Sequence, residues 1–298
     1  MPRGPRRSSS PAVAAPDDGR TAPWYVPWLM LGPGLAWLTI FFVLPMFSLA
    51  RNSLVDNGLR NYADAFSAQR DIVGRTFLYA FACSVLCLVI GYPLAYFIAM
   101  RGGKRKNLYL ALVVLPFFTT YLIRTISWVV LLRNDGPVVH LVNALHLTGV
   151  FRTVGLVGGD GQFFGRAPAV IGALTYNFLP FMVLPIYVSL EKIDRGLLEA
   201  GLDLYATGAR TFRTVTLPLS LPGVFGGSLL TFIPASGDFV NATLLGSERT
   251  KMIGNIIERN FLKPALRPES SALSFVLMAV ILIGVLVYAR LLGTEELV

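Results

Sequence analysis

Residues 191–223 read EKIDRGLLEAGLDLYATGARTFRTVTLPLSLPG, and the fold turns on how this polar stretch sits between its neighbours. Residues 167–190 before it carry no charge, and neither do residues 214–237 after Arg213. A helix crossing a bilayer needs about 20 mostly apolar residues, so the stretch is a charged connection between two membrane spans. Within it, Leu198, Leu202 and Tyr205 recur at i, i+4 and i+7 and predict a short amphipathic helix. Thr207 stands as the amino-terminal cap of a second helix, in which Ala209, Phe212 and Val215 share a face. Pro218, Pro222 and Gly223 are then expected to interrupt the chain. Two short amphipathic helices set at right angles outside the membrane suit insertion into a groove on a partner. A helix resting on lipid headgroups fits the same spacing.

The alternation of long uncharged stretches with short charged ones runs through all 298 residues. The chain is 54% hydrophobic and 14% charged, where a soluble domain carries about 25% charged residues. That excludes a soluble enzyme, a nucleic-acid-binding module and a disordered regulator. Six spans follow: 27–49, the stretch between Arg75 and Arg101, 108–132, the stretch between Arg166 and Glu191, 221–246, and the stretch between Glu269 and Arg290. The expected fold is all-α, a polytopic membrane protein of six transmembrane helices. The fifth span has too few apolar residues before Asp238, so its helix is expected to continue through that aspartate. Residues 1–23 read as a disordered tail, 24–75 as the first transmembrane helix with an extracytoplasmic loop, and 76–292 as a core of five transmembrane helices. No repeat relates the two halves as in inverted-repeat transporters.

Basic residues divide almost evenly between the two sides, so orientation rests on their density in short loops. Arg101-Gly-Gly-Lys104-Arg105-Lys106 holds four cations and no acid, whereas Asp56, Asp64 and Asp71 are mixed with the arginines of the first loop. The second and fourth loops, and both termini, are therefore placed in the cytoplasm, which also gives the net charge of +9 a place.

Two ionisable residues fall inside spans, where a charge costs about 2.5–3.5 kcal/mol on insertion scales. Counted from Leu108, Arg124 lies roughly 24 Å in, and Asp238, counted from Leu221, roughly 26 Å. They are candidates for an intramembrane ion pair. Asp238 is also a candidate for a cation pathway, since Pro234 and Gly237 before it can free backbone carbonyls toward a cavity. Tyr176 and Asn177, beside Pro180, are further pathway candidates, with helix packing as the alternative for Tyr176. Cys83 and Cys87 read as small residues between helices. Trp24, Trp28 and Trp128 read as interfacial anchors. His140 and His146 have no metal-ligand spacing.

The run 191–223 resembles the EAA loop of ABC importer permeases: Glu-Ala-Ala, three residues, Gly, nine residues, Ile, one residue, Leu-Pro. Glu199, Ala200, Leu217 and Pro218 match at that spacing, and Val215 replaces Ile. Gly201 stands for the second Ala. Tyr205 stands where the pattern has Gly, and because a tyrosine adopts positive φ less cheaply, a different local turn is expected there. Beyond the loop, YPLAYFIA at 92–99, LPFFTTYLIRTISW at 115–128 and YNFLPFMVLPIYVSLEKID at 176–194 are similar to permeases of spermidine/putrescine (polyamine) importers of the PotB type. So are FIPASGDF at 232–239, MIGNIIERNF at 252–261 and SALS at 271–274.

The resemblance implies a type I importer permease of MetI-like fold, with five core helices and an amino-terminal one. It implies three partners: a second permease subunit, a cytoplasmic ABC ATPase dimer, and an extracytoplasmic binding protein that delivers a polyamine. Loop 191–218 would then be the coupling segment, with Glu199 as its charged contact and Ala200 and Gly201 small enough for the ATPase to approach. Tyr205, Thr207, Phe212, Leu217 and Pro218 belong to the same segment. Gly103-Lys104 is followed by Arg105, so no run ends in Gly-Lys-Ser or Gly-Lys-Thr, and energy would come from the partner. No catalytic residue, metal or cofactor is expected. The rival readings are a permease for ferric ion or an oxyanion, and a polytopic membrane enzyme. The enzyme would need His, Asp or Ser gathered at one depth, and both histidines fall in a single loop.

Overall fold

The computed structural model describes residues 25–146, 148–153, 163–205, 207–263 and 267–291. Five helices are long and apolar enough to cross a bilayer, or six when one sharply bent pair counts as a single span. The tail 1–23 and Trp24 lie outside the described residues.

The chain divides into two units, Met1–Leu49 and Ala50–Val298. In the first, α1 (Tyr25–Leu38) passes through a π-helical turn at Thr39–Val43 into α2 (Leu44–Ser53), whose last residues, from Ala50, are counted with the second unit. Trp28, Met30, Trp37 and Phe42 are exposed, and a helix apolar on all sides is at home in lipid.

The first whole helix of the second unit is α3 (Arg60–Arg101), followed by a 3-10 turn, α4 (Lys106–Val114), a second 3-10 turn at Leu115–Phe118, and α5 (Tyr121–Leu132). Two short helices, α6 (Pro137–Ala144) and α7 (Thr148–Thr153), lead to α8 (Ala167–Glu191). Then come α9 (Arg195–Tyr205), α10 (Gly208–Thr211), a π-helical turn at Phe212–Thr216, α11 (Leu217–Gly237) and α12 (Val240–Leu245). The chain closes with α13 (Ile253–Phe261) and α14 (Arg267–Leu291).

The core is the contact of α8 with α3 and α11. Hydrophobicity alone does not bring helices together in lipid, so close approach of small residues has to. On α3 a stripe of Ala80, Cys83, Cys87, Gly91 and Ala95 faces α8. A Cβ on Gly91 would stand 3.2 Å from a Val183 methyl. On α11, a Cβ on Gly223 would stand 2.5 Å from the Pro185 carbonyl oxygen, and one on Gly227 2.9 Å from the Met182 sulfur. The two glycines, four apart, let the backbones of α8 and α11 touch. A second cluster joins the start of α3 (Ala65, Val73) to α13 (Ile253, Ile256) and α14 (Leu273).

Four boundaries differ from the sequence expectation. The helix that carries the second span is longer than the span: α3 starts at Arg60, ahead of the apolar stretch, and the Arg75 guanidinium donates to the Arg249 carbonyl. The third span, expected at 108–132, is broken, with Gly103–Phe118 and Tyr121–Ala144 meeting at 90°. Pro116 lies in the closing 3-10 turn, and Thr119 and Thr120 both take ψ 138°, so straight-helix depth does not apply to Arg124.

Conversely, Pro218 and Pro222 do not interrupt the chain, which stays helical from Gly208 to Gly237. A proline at position i cannot close on the carbonyl at i−4 and crowds it. For Pro218 that carbonyl is Thr214, inside the π-helical turn Phe212–Thr216, whose wider winding absorbs the mismatch. Pro45 repeats the device: its i−4 residue, Phe41, lies in the turn Thr39–Val43. Finally, the fifth span does not run as one helix through Asp238. It ends at Gly237, Asp238 is extended at φ −70°, ψ 128°, and α12 begins at Val240.

Lys106 and Glu191 form an ion pair, so the basic loop and the start of the 191–218 segment share one end of the bundle. At another connection, the Gly165 amide donates to the Leu245 carbonyl (3.0 Å) and the Ser247 hydroxyl to the Gly165 carbonyl (2.7 Å).

Candidate functional site

Two places gather the expected residues. The first is the 191–218 segment. Asp194 starts α9 by accepting the Gly196 amide on Oδ1 at 2.9 Å, a side-chain cap for an otherwise unpaired N–H. Glu199, Ala200 and Asp203 are exposed on α9, together with Leu197 (52%) and Leu204 (78%). Leu198, the first residue of the expected apolar stripe, is half-buried, and the apolar pair that faces outward is Leu197 and Leu204. Its i, i+7 spacing could have found it. Gly201 is buried: an added Cβ would stand 2.8 Å from the Thr211 methyl and 3.2 Å from a Val215 methyl. Its smallness thus serves the crossing of α9 with the next helix, within the chain itself.

Tyr205 remains helical, and among the described residues positive φ outside glycine occurs only at Asp56 and His146, so no left-handed turn is needed at Tyr205. Thr207 does cap α10, but through its backbone. Its carbonyl accepts the amides of Arg210 (3.2 Å) and Thr211 (3.1 Å), while its hydroxyl makes no cap bond. Phe212 points inward, edge-on to Tyr92 (5.8 Å) and Tyr96 (5.7 Å) of α3. Leu217 and Pro218 open α11, where the Ser220 hydroxyl bonds both the Leu217 carbonyl (2.9 Å) and Tyr92 (2.8 Å). Beneath α9 lies a hollow of about 650 Å³ reached by Tyr96, Lys106, Glu191, Glu199 and Phe212. Displacement of α9 therefore reaches α3 and α11 through α10 and the π-helical turn that carries Phe212.

The second place is a polar cluster at the two helix breaks. Asp238 is 8% exposed, and in this conformation no ion pair among the described residues joins it to Arg124. Asp238 Oδ2 accepts from the Tyr121 hydroxyl, and Oδ1 accepts the Asn241 amide at 2.9 Å, which caps the start of α12. The Asn241 side chain donates to the Tyr121 hydroxyl (2.6 Å), and its Oδ1 accepts from Thr125 (3.1 Å) and Asn177 (3.3 Å). Asn177 is buried in this network, with its own Oδ1 unpartnered. Tyr176, the residue before it on α8, turns the other way. It meets Trp128 edge-on at 5.9 Å and lines an apolar hollow of about 320 Å³ with Phe97, Tyr109 and Pro116. Trp128 is thus a packing residue, half-buried against the core.

Tyr121, Thr125 and Asn241 are not among the residues that the sequence singles out, which inside the spans are the charged Arg124 and Asp238 and the pair Tyr176 and Asn177 beside Pro180. Polar residues spaced on one helix face, Tyr121 and Thr125 at i, i+4 and Asn241 three residues after Asp238, are the available signal.

A bundle of this kind, with an exposed acidic-apolar helix at one end and a buried polar cluster between broken spans, defines a polytopic transport subunit. The chain belongs to the family described as the binding-protein-dependent transport system inner membrane component, matched over residues 91–292. Among relatives, it is 34% identical over 266 residues to the spermidine/putrescine transport system permease protein PotB of Haemophilus influenzae, covering 86% of this chain and 90% of that one. The protein of the same name from Escherichia coli is 32% identical over 267 residues, covering 86% and 94%. The fold is that of a crystal structure of a bacterial ABC transporter involved in the import of the acidic polysaccharide alginate. That match has a TM-score of 0.69 at 20% identity and covers 91% of this chain and 96% of the other.

Proposed function

We propose that this chain is the permease subunit that carries polyamines, spermidine and putrescine among them, across the inner membrane, with both termini in the cytoplasm. A second permease completes the pathway, a binding protein delivers the substrate from outside, and a cytoplasmic ABC ATPase dimer supplies the energy. The observation that carries the coupling half of this reading is α9, which offers Glu199, Leu197 and Leu204 outward while Gly201 and Phe212 tie the segment to the bundle. Closure of the ATPase dimer against that face would push on α3 and α11. The substrate half is supported by the relatives' names and by the carboxylate of Asp238 among Tyr121, Asn177 and Asn241, which offers oxygen acceptors to a polycation that has lost its water.

The test is radiolabelled spermidine and putrescine uptake into proteoliposomes holding all four kinds of subunit, with ATP inside the compartment facing the ATPase. ATP-dependent accumulation of either amine supports the reading; accumulation of neither removes the substrate half. Glu199→Lys should leave the subunit in the membrane yet cut the ATPase recovered with it several-fold. Normal recovery of the ATPase would remove the coupling half.

A further inference from the structure

Arg124 is a buried cation, 8% exposed, whose Nε and Nη1 have no hydrogen-bond partner. An uncompensated charge in the protein interior is costly, and in a membrane such residues pair or serve function. Aromatic faces hold it: its guanidinium carbon lies 4.7 Å from the Phe117 ring centre and 5.6 Å from that of Tyr121. Tyr121 precedes it by three residues on α5, hence on the same face, and the Tyr121 hydroxyl occupies Asp238 Oδ2. A cation and a carboxylate therefore flank one phenol without meeting. Each side of this arrangement also sits at a helix break, Tyr121 directly after Thr119–Thr120 and Asp238 between α11 and α12. A change of angle at either break would draw the phenol off the carboxylate and leave one acceptor oxygen without a donor.

We propose that Arg124 is a positioning residue for transport, an internal counter-ion that replaces Tyr121 at Asp238 in a second conformation and holds that carboxylate when no cationic substrate does. The guanidinium then gains the partner it lacks here, and the Asn241 amide keeps the other carboxylate oxygen. Because these side chains are buried within the chain itself, the argument does not depend on which face a partner subunit covers. It rests on the polyamine reading only for the identity of the competing cation.

The complete importer in proteoliposomes tests this with Arg124→Gln, Arg124→Lys, Asp238→Asn and the Arg124→Gln/Asp238→Asn double variant, scored for uptake, ATP hydrolysis and recovered ATPase. Arg124→Gln should lower uptake about tenfold with assembly intact, and Arg124→Lys should restore most of it. In the Asp238→Asn background the same change should matter less than about twofold, as expected when two residues act through each other. Equal losses in both backgrounds would overturn the proposal. Independently, Arg124→Cys/Asp238→Cys should be bridged by a short bifunctional thiol reagent in one nucleotide state and not in another; bridging that ignores nucleotide, or never occurs, would overturn it as well. If no polyamine accumulates, the ATP-hydrolysis arm of the cycle still reads the exchange, so failure of the substrate reading is distinguishable.

Discussion

Gly201 shows how much a single side chain decides in the coupling segment. The pattern it resembles has alanine there, and in this chain even that methyl would press on the Thr211 methyl at 2.8 Å. Forcing an extra methyl into a packed site costs about 1–3 kcal/mol, so Gly201→Ala should loosen the α9–α10 corner and raise its susceptibility to limited proteolysis. Thr211→Ser removes the obstructing methyl and keeps a hydroxyl for the Thr207 carbonyl, now 3.2 Å away. The pair Gly201→Ala/Thr211→Ser should therefore return the cleavage rate to that of the parent. Persistence of the fast cleavage in the pair would show that the glycine answers to something other than Thr211. The residue type was legible in the sequence, but its reason was not: smallness suggested approach by a partner, and the structure spends it on an internal crossing.

At the scale of elements, the helices formed where apolar length demanded them, while the breaks within them followed local backbone chemistry. Prolines gave contrary outcomes. Pro116 accompanies a 90° bend, Pro218 is absorbed by a π-helical turn, and Pro222 passes without a break in α11. Local winding separates the first two: the carbonyl four residues before Pro218 lies in the wider π-helical turn, whereas Thr119 and Thr120 after Pro116 leave the helical region. The α8–α11 contact is the element pair most sensitive to volume. Gly223→Val would drive a branched side chain into the Pro185 carbonyl and Ser189, and should cost on the order of 3 kcal/mol and lower the melting temperature of the purified protein in detergent. Gly226→Ala is the control, since its Cβ would meet only Pro185 at 3.8 Å, an ordinary contact. Equal melting temperatures for the two variants would mean that the close approach contributes little to stability.

For the whole molecule, the Lys106–Glu191 ion pair places the basic loop and the coupling segment at one end. The two native cysteines are buried, so single introduced cysteines report topology cleanly. Lys104→Cys and Asp203→Cys should label together from the cytoplasmic side with an impermeant thiol reagent, and Glu248→Cys should label from the opposite side. Labelling of Lys104→Cys and Asp203→Cys from different sides would break the proposed arrangement.

The sequence alone determined that the chain is a membrane bundle, roughly where its spans lie and which segment connects them outside the lipid. Those properties depend on local hydrophobic length and charge, which need no knowledge of neighbours. Tertiary structure alone decided that Tyr121, Thr125, Asn177, Asp238 and Asn241 form one cluster, that Arg124 stands beside it unpaired, that one span is sharply bent and that another ends before Asp238. Buried polar groups choose partners across helices by distance and direction, and both are set only when α5, α8 and the α11–α12 break are brought together.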